Sequence, residues 1–281
     1  MLNKEVKKKL TITLLKVSTF ACYSIGYDTM CDIMKFIGLL QQKISPKRAN
    51  IVRKNFLMIR GNTDGWEKTF INFWGCTTDT LYLPYMTAEE ILGKLKLVEN
   101  IEVLRWFKIK GKPLIVTTAH IGIPEMLANF ASLLGFPGIA VAEVPSDEWF
   151  REFLKFRSRF GMRIIPMGNS YPILVEAVKN GEFVYLVSDR DIKRKGIAIP
   201  FGRGKKFFPT GFANLSVETK TPVVFGCGVP LQPCGKYYGF LTEPYYPKDV
   251  YDALEWYAST LYHAVYKWTD MWFVFQDEWV S

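Results

Sequence analysis

The sequence predicts an α/β fold, with a mixed and mostly parallel sheet flanked by helices and an N-terminal apolar extension. Short apolar stretches at 114–118, 139–143, 163–166 and 183–188 alternate with stretches of helical character, which is the pattern of repeated strand–helix units. The 281 residues are 49% hydrophobic and 15% aromatic, enough apolar surface to bury the core of one large domain.

Residues 1–44 differ from the remainder, and we predict that they form a membrane-associating segment before a domain at 45–281. Lysines at the start precede a long apolar stretch, but charges interrupt it before it reaches the roughly 20 apolar residues that a spanning helix needs. The interrupting residues are Lys16, Asp28, Asp32 and Lys35. The pattern favours a helix or hairpin in the membrane interface. A helix packed on the domain is the alternative.

The elements of the domain follow from local signals. Apolar residues recur at helical spacing on both sides of a GNTDG turn at 61–65, which predicts two helices between 45 and 83. A charged, helix-like stretch follows at 87–107, and 189–210 is predicted to be a long loop. Further strands are predicted at 222–226 and around 237–241. The other predicted helices are 125–134, 147–160, 171–179, 211–219 and 249–268.

Charge and cysteine content limit the partners and the compartment. The chain has 36 Lys and Arg against 27 Asp and Glu, a formal charge of +9, which favours membrane surfaces, phosphorylated substrates, acidic carrier proteins or nucleic acid. Its five cysteines lack CxxC or zinc spacing, and the odd number argues against a disulfide framework. We therefore predict a reduced, cytoplasmic setting and no zinc site.

His120 is the first candidate for catalysis, because it lies at the carboxyl end of the apolar stretch 114–118, where open α/β sheets place functional groups. A neutral imidazole there can take a proton from a substrate hydroxyl as that oxygen attacks a carbonyl. Glu125, five residues on, is predicted to orient the ring. The alternative for Glu125 is an ordinary acid at a helix start. The other histidine, His263, falls within a predicted helix and is given no catalytic role.

A second candidate group begins at Asp189, just after the apolar stretch 183–188 and so on the same edge of the predicted sheet as His120. Basic residues in a glycine-containing loop follow it and can bind phosphate groups. A solvated basic loop is the alternative. Arg157 and Arg159 are two residues apart on a predicted helix, so at most one contacts an anion. The basic residues of the loop are Lys193, Arg194, Lys195, Arg203, Lys205 and Lys206.

No serine lies in a G-x-S-x-G motif, so a serine hydrolase is disfavoured. The cysteines match no papain-like or caspase signature. A histidine and an acid without a protein nucleophile suit direct transfer, in which the acceptor itself attacks.

These motifs resemble those of a known family. H-x-x-x-x-E at His120 and Glu125 is similar to the H-x4-D/E motif of the glycerolipid and lipid A acyltransferase superfamily. The stretch DRDIKRKGIAIPFGRGKKFFPTGFANLSVETKTPVV resembles the conserved block of the lipid A and phosphatidylinositol mannoside acyltransferase branch, with departures at Pro200 and Lys220. Segments FRSRFGMRIIP and DMWFVFQDEW are also similar to parts of that branch.

The resemblance implies a glycerolipid acyltransferase-like fold and transfer of an acyl group to a hydroxyl of a membrane glycolipid, lipid A-like or phosphoinositol mannoside-like. The implied donor is acyl-CoA or acyl carrier protein, without metal or cofactor. His120 would be the base and Glu125 its partner, at the cytoplasmic face of the inner membrane. The implied substrate-binding residues are Arg157, Asp189, Arg190, Asp191, Lys193, Arg194, Gly196, Gly202, Pro209 and Gly211.

Two other functions remain open at this stage. A lysophospholipid acyltransferase would act on a glycerophosphate acceptor, but its usual F-x-x-R-type block is not evident. A non-catalytic lipid- or nucleic-acid-binding protein is also compatible with the basic charge. Because interleaved basic and aromatic residues are few, we predict no nucleic acid partner.

Overall fold

The computed structural model describes residues 24–143, 158–192 and 195–280, and a seven-stranded sheet lies at its centre. The strand order is β1-β9-β8-β2-β5-β3-β4. Strands β8, β2, β5, β3 and β4 run parallel, whereas β9 is antiparallel to β8. The predicted mixed, mostly parallel α/β sheet is therefore confirmed. Its strands are β1 (Leu95–Glu99), β2 (Leu114–Thr118), β3 (Gly138–Ala142), β4 (Arg163–Pro166), β5 (Phe183–Val187), β8 (Val223–Pro230) and β9 (Tyr237–Leu241).

Helices cover the sheet, and the central strands are apolar because they are enclosed. All five residues of β2 and all eight of β8 are buried, as expected for parallel strands with both faces covered. The described helices are α1 (Tyr27–Ile44), α2 (Pro46–Arg60), α3 (Lys68–Tyr82), α4 (Ala88–Gly93), α5 (Glu102–Ile109), α6 (Pro124–Leu133), α7 (Ser170–Lys179), α8 (Gly211–Thr219) and α9 (Val250–Lys267).

Two segments differ from the prediction. The stretch 87–107 is not one helix: Thr87 and Glu90 form a capping box for the short helix α4, and β1 follows and pairs with β9 at the sheet edge. The predicted loop at 189–210 contains an antiparallel hairpin, β6 (Ile197–Phe201) and β7 (Gly204–Phe208). Its inward side chains alternate with exposed ones, a period that the charges obscured. The predicted helix 147–160 falls mostly outside the described residues.

Helix α1 packs on the domain through one face and exposes apolar residues on another. Met30, Met34 and Gly38 are buried, and α1 lies closest to α3. The exposed apolar residues of α1 are Ile33, Phe36, Leu39, Leu40 and Ile44. The packing of α1 on the domain agrees with the second of the two sequence-based alternatives for the part of the segment that the structure describes, whereas its contact with a membrane stays a prediction. Within the described ranges, no helix is both long enough and apolar enough to cross a bilayer. The boundary at residue 44 stays a prediction.

A buried polar cluster joins α1 to the rest of the domain. The hydroxyl groups of Tyr27 and Tyr237 donate hydrogen bonds of 2.6 and 2.7 Å to the two carboxylate oxygens of Asp79, which is fully buried. Lys94 Nζ lies 2.9 Å from the same carboxylate. Because α1, α3, β9 and the residue before β1 meet at one carboxylate, the cluster fixes how α1 and α3 lie against the sheet edge.

One disulfide bond was not predicted. Cys31 on α1 is bonded to Cys234 in the β8–β9 connection, while Cys76 and Cys227 are free and buried. The argument from an odd number of cysteines was wrong here, because an odd number excludes only complete pairing. Such a bond is more common in oxidising compartments than in the reduced setting that we predicted.

The contact between α1 and α3 gives a prediction for stability. A Cβ atom at Gly38 would lie 2.6 Å from the backbone oxygen of Phe70. Replacing glycine by alanine inside a helix normally stabilises it by about 0.5–1 kcal/mol, but here the methyl group would push the helices apart. We expect Gly38→Ala to lower the free energy of unfolding by about 1–2 kcal/mol, since overpacking costs about 1–3 kcal/mol.

Thermal unfolding of the purified protein measures this effect. The control is Gly93→Ala at the end of α4, where a Cβ atom has no neighbour within 4 Å. It should leave the melting temperature unchanged or raise it slightly. Equal melting temperatures for the two variants would contradict a close contact at Gly38.

Candidate active site

His120 and Asp189 meet at the carboxyl ends of the neighbouring parallel strands β2 and β5. The strands pair in register to Thr118 and Val187, so the residues that follow them reach the same edge of the sheet. His120 Nδ1 lies 2.6 Å from Asp189 Oδ1. The backbone N–H of His120 donates to Oδ2 of the same carboxylate over 3.0 Å. Both oxygen atoms of the Asp189 carboxylate therefore hold His120 in place.

The Asp189 carboxylate is fully buried, yet it is held in the ionised form. Burial alone would raise its pKa, but His120, the Lys206 ammonium and the Trp272 indole N–H together hold the pKa of Asp189 well below its usual range. Trp272 Nε1 donates to Oδ2 over 2.9 Å. An ionised partner on Nδ1 favours the tautomer that carries its proton there. Nε2 is then the basic nitrogen, on a side chain that is 27% exposed.

This arrangement corrects two predicted roles. Asp189, not Glu125, pairs with His120 Nδ1, because the strand order brings residue 189 beside residue 120. Asp189 was predicted to contact substrate, but none of its surface is exposed, and its carboxylate oxygens contact His120 and Trp272. Glu125 lies in the first turn of α6 and lines the same cavity as His120. Its catalytic role stays a prediction.

The buried Lys206 side chain binds the backbone next to the Asp189 carboxylate. Lys206 on β7 is 1% exposed, and its ammonium donates to the backbone oxygen of Asp189 and, over 2.6 Å, to Glu278 Oε2. The same Glu278 oxygen accepts the backbone N–H of Asp191 over 3.3 Å. Lys206 was predicted as part of a phosphate-binding loop. The sequence signal for its buried position is that it shares the inward face of β7 with Phe208.

The C-terminal segment, residues 271–280, forms backbone hydrogen bonds with the chain around His120. The His120 carbonyl accepts the N–H of Phe273 over 2.8 Å, and Gly122 donates to the carbonyl of Met271 over 2.9 Å. Gly122 has a φ of 70°, and a Cβ there would lie 2.8 Å from the backbone oxygen of Gly228. Only glycine satisfies both the positive φ and this close approach, so Gly122 fixes the path of the chain after the histidine.

The histidine opens into a cavity of about 860 Å³, within the range of about 300–1,000 Å³ common for small-molecule sites. Most of the predicted site residues that the structure describes line it. They are His120, Glu125, Arg190, Asp191, Gly196, Pro209 and Gly211. The lining also includes polar residues that the sequence analysis did not single out for this site. These are Arg48, Thr77, Thr80, Glu143, Thr210 and Gln276.

The loop between β5 and β6 lines the cavity, and its residue Asp191 stabilises the conformation of the loop. Asp191 Oδ2 accepts the N–H of Gly196 over 2.7 Å, and a Cβ at Gly196 would lie 2.2 Å from the Phe208 carbonyl oxygen. Arg190 and Lys195 carry positive charge to the cavity lining. Arg190 forms an ion pair with Glu278, in which Nε lies 3.9 Å from Oε1, a separation longer than that of a hydrogen bond.

Some predicted residues lie elsewhere. Gly202 does not line the cavity: it forms the β6–β7 turn with a φ of 56°, against the Met58 carbonyl. Arg159 donates to the backbone carbonyls of Leu83, Pro84 and Met86, which is a structural role. Arg157, Lys193 and Arg194 are outside the described residues. Within 24–143, 158–192 and 195–280, no three His, Cys, Asp or Glu side chains are grouped to hold a metal ion.

Comparisons with known proteins agree with these features. The chain is 24% identical over 143 residues to a phosphatidylinositol mannoside acyltransferase of Mycobacterium tuberculosis (strain CDC 1551 / Oshkosh), which covers 49% of this chain and 45% of that protein. It is 25% identical over 114 residues to the protein of the same name from Mycolicibacterium smegmatis, covering 39% of this chain and 38% of that protein. The chain thus spans under half the length of these relatives.

The family described as bacterial lipid A biosynthesis acyltransferase matches residues 6–281. Because this match covers nearly the whole chain, the protein belongs to the bacterial lipid A biosynthesis acyltransferase family.

Proposed function

We propose that this protein is a membrane-associated O-acyltransferase that moves a fatty acyl group from a thioester to a hydroxyl of a glycolipid. The observation that carries the proposal is the His120–Asp189 pair, 2.6 Å apart, beside a cavity lined by cationic side chains. Among the described residues that line the cavity there is no serine or cysteine beside the base, which suits direct attack by the acceptor. Family membership and the names of the mycobacterial relatives support an acyl group and a glycolipid acceptor.

In the proposed reaction, His120 Nε2 takes the proton of the acceptor hydroxyl as its oxygen attacks the thioester carbonyl. The C–O bond forms, and the carbonyl electrons move onto oxygen. When the intermediate collapses, the C–S bond breaks and the thiolate takes the proton from the imidazolium. Asp189 keeps the ring in place and stabilises its positive charge. The products are the ester and a free thiol, so no oxidant or reductant is needed.

The substrates would be held by the residues that surround the base. Arg190 and Lys195 line the cavity with positive charge, suited to the phosphate of an anionic lipid acceptor. Glu125 lines the same cavity, and we propose that it accepts a hydrogen bond from the attacking hydroxyl. The donor would be acyl-CoA or acyl carrier protein, both of which present the thioester on a pantetheine arm.

The proposed location is the cytoplasmic face of the inner membrane, as a peripheral or monotopic protein. The exposed apolar side chains of α1 support attachment to a membrane surface, because Phe36 is 58% and Ile44 77% exposed. Such a face on an amphipathic helix binds the headgroup region of a bilayer, and basic residues add attraction to anionic lipids.

The role of His120 as a base gives the first activity prediction. We expect His120→Ala to lower kcat by about 100- to 10,000-fold, the usual contribution of a general base. The assay follows transfer of a labelled acyl group from acyl-CoA or acyl carrier protein into membranes, and chromatography identifies the lipid that gains label. Phosphatidylinositol mannoside, lipid A precursor and lysophospholipid acceptors are offered in separate reactions.

The matched control is His263→Ala on α9, an exposed histidine whose ring bonds to the Ser259 carbonyl. It should retain wild-type activity. Activity of His120→Ala within a few-fold of wild type would contradict the proposal, as would lipid binding without acyl transfer by the wild-type protein.

The pairing of His120 with Asp189 gives the second activity prediction. We expect Asp189→Asn to lower kcat by about 100-fold or more while KM changes little, because an amide cannot stabilise imidazolium as a carboxylate does. Glu125→Gln should lower kcat less and raise KM for the acceptor. Steady-state kinetics of both variants separate the roles. If Glu125→Gln lowers kcat as much as Asp189→Asn or more, Glu125 rather than Asp189 orients His120, and the proposed roles are wrong.

A further inference from the structure

Arg48 is a cation of the active-site cavity that the proposed reaction does not yet use. It lies in the first turn of α2 and lines the cavity that contains His120. Its guanidinium carbon is 5.8 Å from the ring centroid of Phe275 in the C-terminal segment. Stacking on an aromatic face limits the orientations of an arginine without using its N–H donors. The donors of this exposed side chain therefore remain open to solvent or to a ligand.

The other arginines of α2 and its Lys54 have partners, whereas Arg48 and Lys47 have no carboxylate or hydrogen-bond partner among the described residues, and of these two only Arg48 lines the cavity. Lys54 pairs with Asp277 at 2.8 Å, and Arg60 donates to Thr269 Oγ1 over 2.9 Å. Arg53 stacks on Trp66 at 4.1 Å and bonds to Asn50. In the described part of the chain, Arg48 has neither a carboxylate partner nor a hydrogen-bond acceptor. None of the other three lines the cavity.

The cavity wall beside Arg48 continues with aromatic and neutral polar groups. Phe275 contacts Phe73 of α3, with ring centroids 5.0 Å apart, and Thr77 and Thr80 follow one and two turns later along α3. Thr77 uses its hydroxyl hydrogen on the Phe73 carbonyl, over 2.7 Å. The acids that line the cavity, Glu125, Glu143 and Asp191, come from other elements. This wall thus offers a cation and neutral hydroxyls.

We propose that Arg48 is a second phosphate contact of the active site, separate from Arg190 and Lys195. The inference rests on the proposed function, in which both substrates carry phosphate: the donor on its pantetheine arm and the acceptor on its lipid. A planar guanidinium with free donors matches the geometry of a phosphate group. The ligand class is therefore a phosphate ester, supplied by the donor or by the acceptor.

The kinetic test compares Arg48→Gln with Arg53→Gln, which removes the same charge from the same helix and also frees an aromatic ring. We expect Arg48→Gln to raise KM about 10-fold for one phosphate-bearing substrate, the loss of one charge-assisted contact. The donor arm compares acyl-CoA with acyl N-acetylcysteamine, which lacks phosphate. The acceptor arm compares a phosphorylated glycolipid with its dephosphorylated form.

The outcomes separate the sources. A KM increase for acyl-CoA but not for acyl N-acetylcysteamine supports a donor phosphate, and an increase only for the phosphorylated acceptor supports an acceptor phosphate. An unchanged KM, equal effects on phosphate-bearing and phosphate-free substrates, or equal effects of Arg48→Gln and Arg53→Gln would overturn the proposal.

A binding measurement keeps this test independent of acyl transfer. Titration of the full-length protein with CoA, and with phosphatidylcholine vesicles containing phosphatidylinositol, is compared for wild type and both variants. Weaker binding of either ligand by Arg48→Gln alone supports the phosphate contact even if no acyl transfer is found. Unchanged binding of both ligands overturns it, whatever the activity of the wild-type protein.

Discussion

The site depends on one buried carboxylate. Asp189 has no exposed surface, and its two oxygens bind the ring and the backbone N–H of His120 and the indole of Trp272. A buried charge persists only when donors compensate for lost hydration. These donors come from His120, which follows β2, and from Trp272 in the C-terminal segment, so the carboxylate requires the tertiary fold and in turn fixes the histidine at one position in the cavity.

The C-terminal segment supplies further contacts to the His120–Asp189 pair, including the Trp272 hydrogen bond to the carboxylate. Its backbone bonds to His120 and Gly122, and Glu278 binds the lysine that holds the Asp189 carbonyl. Removing one partner of a buried ion pair leaves an uncompensated charge, commonly at a cost of about 3–5 kcal/mol. The last dozen residues are therefore part of the site's framework, although they contribute few side chains to the cavity itself.

The cavity brings two kinds of surface together. The loop after β5 brings Arg190 and Lys195 to the cavity, whereas α2 brings Arg48 and α3 brings Phe73, Thr77 and Thr80. Such a division suits a reaction that joins an apolar chain on an anionic carrier to an anionic lipid. It also agrees with the position of α1, which presents exposed apolar residues on a helix that packs against α3.

The sequence alone predicted six of the seven strands of the central sheet and the edge at which His120 and Asp189 lie. Alternating apolar and helical stretches predicted strands close to their observed bounds, and the positions of His120 and Asp189 just after two of them predicted a shared edge. The positions of strands and helices can be predicted in this way because the period of apolar residues and the signals at helix ends depend on residues close together in the sequence. Glu125 was favoured as the partner of His120 for the same reason: five residues of separation make a contact conceivable without knowing the fold.

Only the tertiary structure decided which carboxylate binds the histidine. That choice follows from β5 lying beside β2, a non-local pairing that no spacing in the sequence encodes. Lys206 was read as a surface cation because its hairpin was not recognised, and Arg48 was overlooked because it is more than 70 residues from the histidine. Burial and long-range contacts set the roles of these residues, and both arise only when distant segments pack together.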